Sequence, residues 1–269
     1  MGTLIVACGL FASTFLVLLM ATAVAPAFDI PTPLTVEALY RHESFGLAVM
    51  LLSVALVLPV VLGSARFVQG RRPGTLSSIT GRLRWRQLLR YAGLAVVSLT
   101  LGVMTQAIVF HATGLGSPID FGWAGWDRAV PALTVIVLLV PFQATAEEYM
   151  FRGWLIQAFG TLMKSPWPGI VAGSLLFASL HGYTGWGPVD VFSFGMVMGW
   201  LTVRTCGLEA AIAMHVLNNL VAFAPGAAAG ELSEAMRQGA VPWQSLTGTA
   251  VQLSSYVVAV TLCLKTRPR

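Results

Sequence analysis

Residues 135–156 read VIVLLVPFQATAEEYMFRGWLI. The first part is apolar enough to lie in lipid. Glu147, Glu148 and Arg152 then interrupt it within six residues, before Gly153-Trp154-Leu155-Ile156 resumes the apolar run. A charge at membrane depth costs about 3 kcal/mol on insertion scales. Three ionisable groups this close together in such a run need a compensating pairing or a function, and that requirement directs the reading of the rest of the chain.

Working outward, the chain is 56% hydrophobic and 10% charged over 269 residues, with a mean hydropathy of +0.77. A soluble domain carries about 25% charged residues. A soluble chain of this length would read as one or two domains, but here the repeating unit is a membrane span of about 20 apolar residues. Apolar runs at 4–28, 45–63, 88–112, 129–163, 167–181, 189–203, 208–224 and 246–264 predict eight helices. Run 4–28 lacks a basic stretch before it and is too long for a signal peptide, so it reads as a retained span. The expected fold is all-α, a polytopic integral membrane helical bundle of about eight transmembrane helices.

Charge is distributed unevenly between the loops. Arg66, Arg71, Arg72, Arg82, Arg84, Arg86 and Arg90 separate the second and third runs, and Lys265, Arg267 and Arg269 end the chain. The alternate loops carry Asp29, Glu37, Glu43, Asp120, Asp127, Glu231 and Glu234. The positive-inside rule puts the arginine-rich loop in the cytoplasm. With eight spans both termini follow it there, and the plasma membrane is the expected location. The net charge of +5 comes from this loop bias. It points to anionic lipid as a partner and not to nucleic acid. The segment 69–86, with Pro73, Gly74 and Gly81, is the clearest loop. It divides residues 1–87, with two helices and the arginine-rich loop, from residues 88–269, which hold all the polar patches. Cys8, Cys206 and Cys263 are scattered and form no CxxC or metal-finger spacing, which argues against a disulfide framework.

Three polar patches break the apolar background. In the first, Glu148 and Arg152 stand i, i+4 on a helix and can pair. Glu147 then points about 100° away and is available as a general base. The second is Phe177-Ala178-Ser179-Leu180-His181. The third is His215-Val216-Leu217-Asn218-Asn219, where His215 and Asn219 share a helix face and make a donor pair suited to a developing oxyanion. Pro166 and Pro168 mark a turn between the first two patches. At about 1.5 Å per residue, Glu147 and His181 lie roughly 24 Å and 21 Å from that turn, and His215 roughly 12 Å past Gly207. An antiparallel hairpin would bring the first two level.

Each patch also has a structural reading. Glu148 can be no more than the partner of Arg152, and a membrane histidine or asparagine often serves only as a helix–helix hydrogen bonder. His42 and His111 lie near span ends and read as interfacial. Trp154, Trp167 and Trp200 read as belt or packing residues.

Glu147-Glu148-xxx-Arg152, Phe177-xxx-His181 and His215-xxx-Asn219, in this order and spacing, resemble the three motifs of the CPBP family, the CAAX-protease and bacteriocin-processing (Abi) integral membrane proteins. The resemblance covers about 131–224 and departs at no motif position. It implies a multi-helical intramembrane CAAX-type endopeptidase that hydrolyses peptide bonds of membrane-associated protein substrates, lipidated CAAX-like ones among them. By the resemblance, Glu147 activates water with His181 assisting, His215 and Asn219 form the oxyanion site, and Glu148 and Arg152 support them. Bacterial relatives commonly lack prenylated targets, so CAAX cleavage does not follow for this chain.

The cofactor question stays open between none and one divalent metal, zinc being the most plausible. Glu147, His181 and His215 offer three ligands with water as a fourth, but there is no HExxH, and a metal-free glutamate mechanism uses the same residues. Two other function classes compete. One is a non-catalytic membrane scaffold or immunity-type protein that binds a partner within the bilayer. The other is a proton-coupled carrier, against which the absence of recognisable inverted halves counts.

Overall fold

Apolar runs become helix along most of the chain in the computed structural model, which describes residues 2–32, 34–116 and 122–265. Asp120, Arg267 and Arg269, which enter the charge asymmetry above, lie outside these. The helices are α1 Gly2–Val24, α2 Val36–Arg41, α3 Glu43–Ala55, α4 Val57–Gly63, α5 Trp85–Ala112, α6 Trp126–Glu148, α7 Ile156–Gly160, α8 Trp167–Ser179, α9 Gly187–Thr205, α10 Glu209–Ala229, α11 Leu232–Arg237 and α12 Trp243–Lys265. Between α6 and α7 the chain winds as a π-helix, Tyr149–Leu155. All eight expected runs are helical. Among the described residues, six stretches have the length and composition of a span: Gly2–Phe28, Glu43–Val68, Trp85–Ala112, Trp126–Gly160, Glu209–Ala229 and Trp243–Lys265. Six of the eight expected spans are therefore supported by length and composition, and the other two runs form the helices α8 and α9. Of these, α8 has 13 residues, roughly 20 Å at 1.5 Å each. The other, α9, carries Asp190 and Arg204.

The chain packs as two units, each assembled from separate stretches. The first comprises Met1–Pro73, Phe121–Met150 and Asn219–Arg237. Here α3 lies against α1, α2 and α6. Leu47 and Leu51 of α3 meet Ala132, Ile136 and Val140 of α6, with Ala227, Leu232 and Met236 completing the cluster. The inward stripe of α6 is Ala129, Ala132, Ile136, Val140, Gln143, Ala144 and Glu147, which is the three-and-four spacing of one helix face. The stripe that begins as core thus ends on a carboxylate. The short α2 is capped by Thr35, whose hydroxyl accepts from the Ala38 amide at 3.1 Å. The short α11 begins where Glu43 Oε1 accepts from the Ser233 amide at 3.0 Å.

The second unit comprises Gly74–Asp120, Phe151–Asn218 and Gln238–Arg269. Its helix pairs are α5 with α12, α8 with α9, α9 with α12 and α7 with α8. Small residues allow these close approaches, as expected where lipid supplies no hydrophobic drive between helices. A Cβ on Gly195 would come within 2.9 Å of Ser174 Cβ, and one on Gly199 within 2.9 Å of Ile170 Cγ2. One on Gly169 would come within 3.0 Å of Phe159 Cβ. That last contact closes the α7–α8 hairpin expected from Pro166 and Pro168. Two parallel two-residue strands, β1 Thr184–Gly185 and β2 Ala240–Val241, tie the connection after α8 to the one before α12.

The segment expected to be a loop is largely ordered. Its second half is fixed to the start of α10: the Leu208 amide donates to Ser77 O at 2.9 Å, the Ile79 amide to Cys206 O at 3.2 Å, and Ser78 bridges Gly207. Gln157 Nε2 donates to Thr75 O at 3.2 Å. Composition marked this stretch as a turn-former but did not reveal the backbone partners it would find.

Candidate functional site

Glu147 and Glu148 close α6, and both are buried, at 8% and 0% exposure. Helical periodicity turns Glu147 inward, since it falls in the same stripe as Val140 and Gln143. Just past the pair the helix widens into the π segment, a distortion found often at functional sites. The sequence reading assumed plain α-helix through Arg152, and nothing in hydrophobic periodicity announces a π turn.

Asn219 belongs to the same unit as Glu147. Its Nδ2 donates to Gln143 Oε1 at 3.1 Å. Gln143 stands one turn before Glu147 on the inward stripe of α6, so the link ties the asparagine to the carboxylate-bearing face. A carboxamide has two N–H donors, and this bond uses one. Gln143 is a candidate site residue that the motif reading missed. Its signal was available: a lone amide in an apolar run, four residues before Glu147.

The second unit holds Arg152, His181 and His215 around one aromatic ring. Phe177, on the last turns of α8, has its centroid 4.6 Å from the His181 ring and 5.7 Å from the His215 ring, the latter nearly perpendicular at 88°. Phe194 of α9 meets the His215 ring edge-on at 5.3 Å, and Phe151 meets Phe177 edge-on at 5.2 Å. The Arg152 guanidinium carbon lies 4.4 Å from the Phe177 centroid, a cation–π distance. His215 is 2% exposed and Arg152 3%. Phe177 is therefore the hub of this group. The sequence reading quoted it in a motif without giving it a role.

His181 is half-buried at the end of the α8 hairpin. Its Nδ1 lies 2.8 Å from Phe177 O. A carbonyl only accepts, so Nδ1 carries a proton, and a neutral ring with that tautomer has its lone pair on Nε2. Tyr183 stacks on the imidazole, with centroids 6.2 Å apart and planes 9° from parallel. Gln238 Oε1 accepts from the Gly182 amide at 2.7 Å and holds the turn that follows.

Asn218, beside Asn219, takes a different partner: Gln252 Nε2 of α12 donates to its Oδ1 at 2.9 Å. This is a helix-to-helix bond within the second unit. Trp154 is buried and packs, whereas Trp167 is half exposed. No disulfide joins the three cysteines. Among the described residues no three His, Cys, Asp or Glu side chains are gathered as a metal set.

With this geometry in place, comparison with known proteins gives three results. Residues 129–221 match the family described as type II CAAX prenyl endopeptidase Rce1-like, which bears out the CPBP resemblance. Over 170 residues the chain is 30% identical to the protein of Bacillus subtilis (strain 168) named uncharacterized protein YyaK, covering 61% of this chain and 55% of that protein. The chain thus matches about half the length of that curated relative. No solved structure matches the chain.

Proposed function

From the match of residues 129–221 to the Rce1-like family, we propose that this chain is an intramembrane endopeptidase that cleaves membrane-associated protein substrates through a glutamate-activated water. The observation that carries the reading is the orientation of His181. With Nδ1–H held by the Phe177 carbonyl, Nε2 is the nitrogen presented for chemistry, as a working imidazole requires.

The roles follow from what each group can do. Glu147, a carboxylate at the end of a buried stripe, takes a proton from water. The resulting hydroxide attacks the scissile carbonyl, and the carbonyl oxygen becomes an oxyanion. His181 Nε2 accepts a hydrogen bond from the same water and orients it. His215, with its ring fixed by Phe177 and Phe194, and Asn219, with its second N–H, donate to the oxyanion. Such donors are each worth about 10²–10³ in rate. Collapse of the tetrahedral intermediate expels the amine, which takes its proton from Glu147. Arg152 and Glu148 support the site, and Arg152 presents a cation to a substrate carboxylate. The substrate class is a protein or lipidated peptide that reaches the site from the bilayer.

The chain resides in the plasma membrane with both termini and the arginine-rich segment cytoplasmic. This placement holds whether α8 and α9 both cross or both stay on one side, because the number of spans remains even.

The test compares new protein N-termini in membranes that carry wild type with those that carry Glu147→Gln. A set of termini that disappears with the variant supports the reading; identical sets at equal protein levels overturn it. Adding a chelator to the purified wild type distinguishes the metal-free route, which predicts retained cleavage, from a metal-dependent one.

A further inference from the structure

Arg84 and Glu209 form a close charge pair in the second unit, at 2.6 Å, and none of the motifs includes it. Arg84 immediately precedes α5, and Glu209 is the first residue of α10. Arg84 Nε donates to Glu209 Oε1 at 2.9 Å and Nη2 to Oε2 at 2.6 Å, the bidentate fork that arginine favours. The Arg84 amide adds a third bond to Oε1 at 2.8 Å, and Nη2 also donates to Thr205 O, on the last turn of α9, at 3.1 Å. Glu209 is completely buried. Gly207 leaves the space: a Cβ there would overlap both Arg84 and Glu209 and come within 2.9 Å of Ser78 Cβ. The hydrogen bonds that Arg84 donates to Glu209 hold its guanidinium more firmly protonated than usual, against the opposing effect of burial.

The chemistry of α10 explains why such a pair is needed. Its first turns, Leu208 to His215, are buried without a break, and Ala210, Ala211 and Ala213 offer little relief for neighbours to grip. Apolar packing of small side chains tolerates axial slippage, whereas a buried polar group with one acceptable partner specifies register. His215 follows Glu209 by six residues on the same helix, roughly 9 Å along the axis. An error at the start of α10 is therefore carried directly to the imidazole. Tyr256 Oη supports the same turn by donating to Ala210 O at 2.8 Å, but it holds a carbonyl that any residue would present. The fork on Glu209 is specific to one position.

We infer that Arg84 and Glu209 are positioning residues, which lock the register of α10 and thereby place His215 for the reaction. Arg84 then acts on the site through the helix and not through substrate. The loop that supplies it becomes part of the catalytic apparatus as well as a topology signal. The inference rests on the proposed peptidase reading for its functional half only.

The test uses the full chain in detergent with isotope-labelled histidine. There are four histidines, so each imidazole can be followed by NMR. In Arg84→Ala, the His215 signals are expected to shift and broaden while those of His42 and His111 stay in place. The rate at which Glu147-dependent protein termini appear should fall at least tenfold at a temperature well below melting. Arg84→Lys keeps the charge but loses the fork, and should give an intermediate effect on both. The reversed pair, Arg84→Glu with Glu209→Arg, should recover part of it. A chain whose melting point drops while His215 signals and rate stay unchanged would reduce the pair to a stability element and overturn the inference. If Arg84→Ala fails to fold, Arg84→Lys decides: unchanged His215 signals overturn the inference, and shifted ones support it. If wild type shows no Glu147-dependent cleavage, the peptidase reading fails by itself and the NMR arm still judges the pair.

Discussion

The two histidines and the Glu147 carboxylate are held by different physics. In the second unit, His181 and His215 both meet Phe177, and His215 is further boxed by Phe194. Edge-to-face contacts between rings are worth about 0.5–1.5 kcal/mol each beyond area burial, and His181 Nδ1–H is also held by Phe177 O at 2.8 Å, so ring shape and that hydrogen bond together orient the pair. In the first unit, Glu147 ends an aliphatic stripe, and the neighbouring polar link is the Gln143–Asn219 bond. There helix register and an amide pair on the same face contribute to the orientation. Ring shape is thus the main lever on the aromatic group, and helix register with the amide pair is the lever on the carboxylate side. The two groups can therefore be perturbed separately.

The largest expected effect is on the carboxylate itself. Glu147→Gln keeps the shape and hydrogen-bonding capacity but removes the base, and the cleavage rate should fall by about 10⁴, at the upper end for loss of general base catalysis. If Glu147 and His181 share one water, adding His181→Ala to Glu147→Gln should cost little more, since groups that act as a unit are strongly non-additive. Multiplying losses in a single-turnover assay would mean that the two groups serve separate steps. Next in size, His215→Ala removes one oxyanion donor and should lower the rate by about 10²–10³ with KM little changed.

How far these residues were legible follows from the same contrast. Helix register depends on local spacing, so the inward stripe of α6 and the patches at 147–152, 177–181 and 215–219 could be read in the chain. The role of Phe177 could not, because its ring gains meaning only from residues on α9, α10 and the π segment. Gln143 was readable in spacing but stood outside the motif. The Arg84–Glu209 fork spans 125 residues of sequence. Positive-inside bias explains an arginine in that loop equally well, and this hid the particular task of this one. The π turn after Glu148 left no trace in periodicity.

The aromatic side is tested next by Phe177→Leu, which keeps most of the volume and so should cost less than about 1.5 kcal/mol of stability. The ring contacts to both imidazoles and to Arg152 are lost, which should slow cleavage about tenfold, in line with one or two aromatic contacts. The companion signature is in the histidine NMR: signals of His181 and His215 should move together. Movement of one alone would show that Phe177 does not coordinate the pair.

The smallest effect belongs to Gln143→Leu on the carboxylate side. Leucine fits the aliphatic stripe of α6, and the Asn219 Nδ2 donor loses its 3.1 Å acceptor. One side-chain hydrogen bond contributes about 1 kcal/mol, which is roughly fivefold in rate if the bond serves to aim the asparagine. Asn219→Ala alone removes the donor and should be more damaging. In the double variant Gln143→Leu should then have no further effect, because its contribution passes through Asn219. A Gln143→Leu effect that persists without Asn219 would mean that the glutamine acts directly on Glu147, one turn along the same helix, and the amide pair would then be part of how the carboxylate is held.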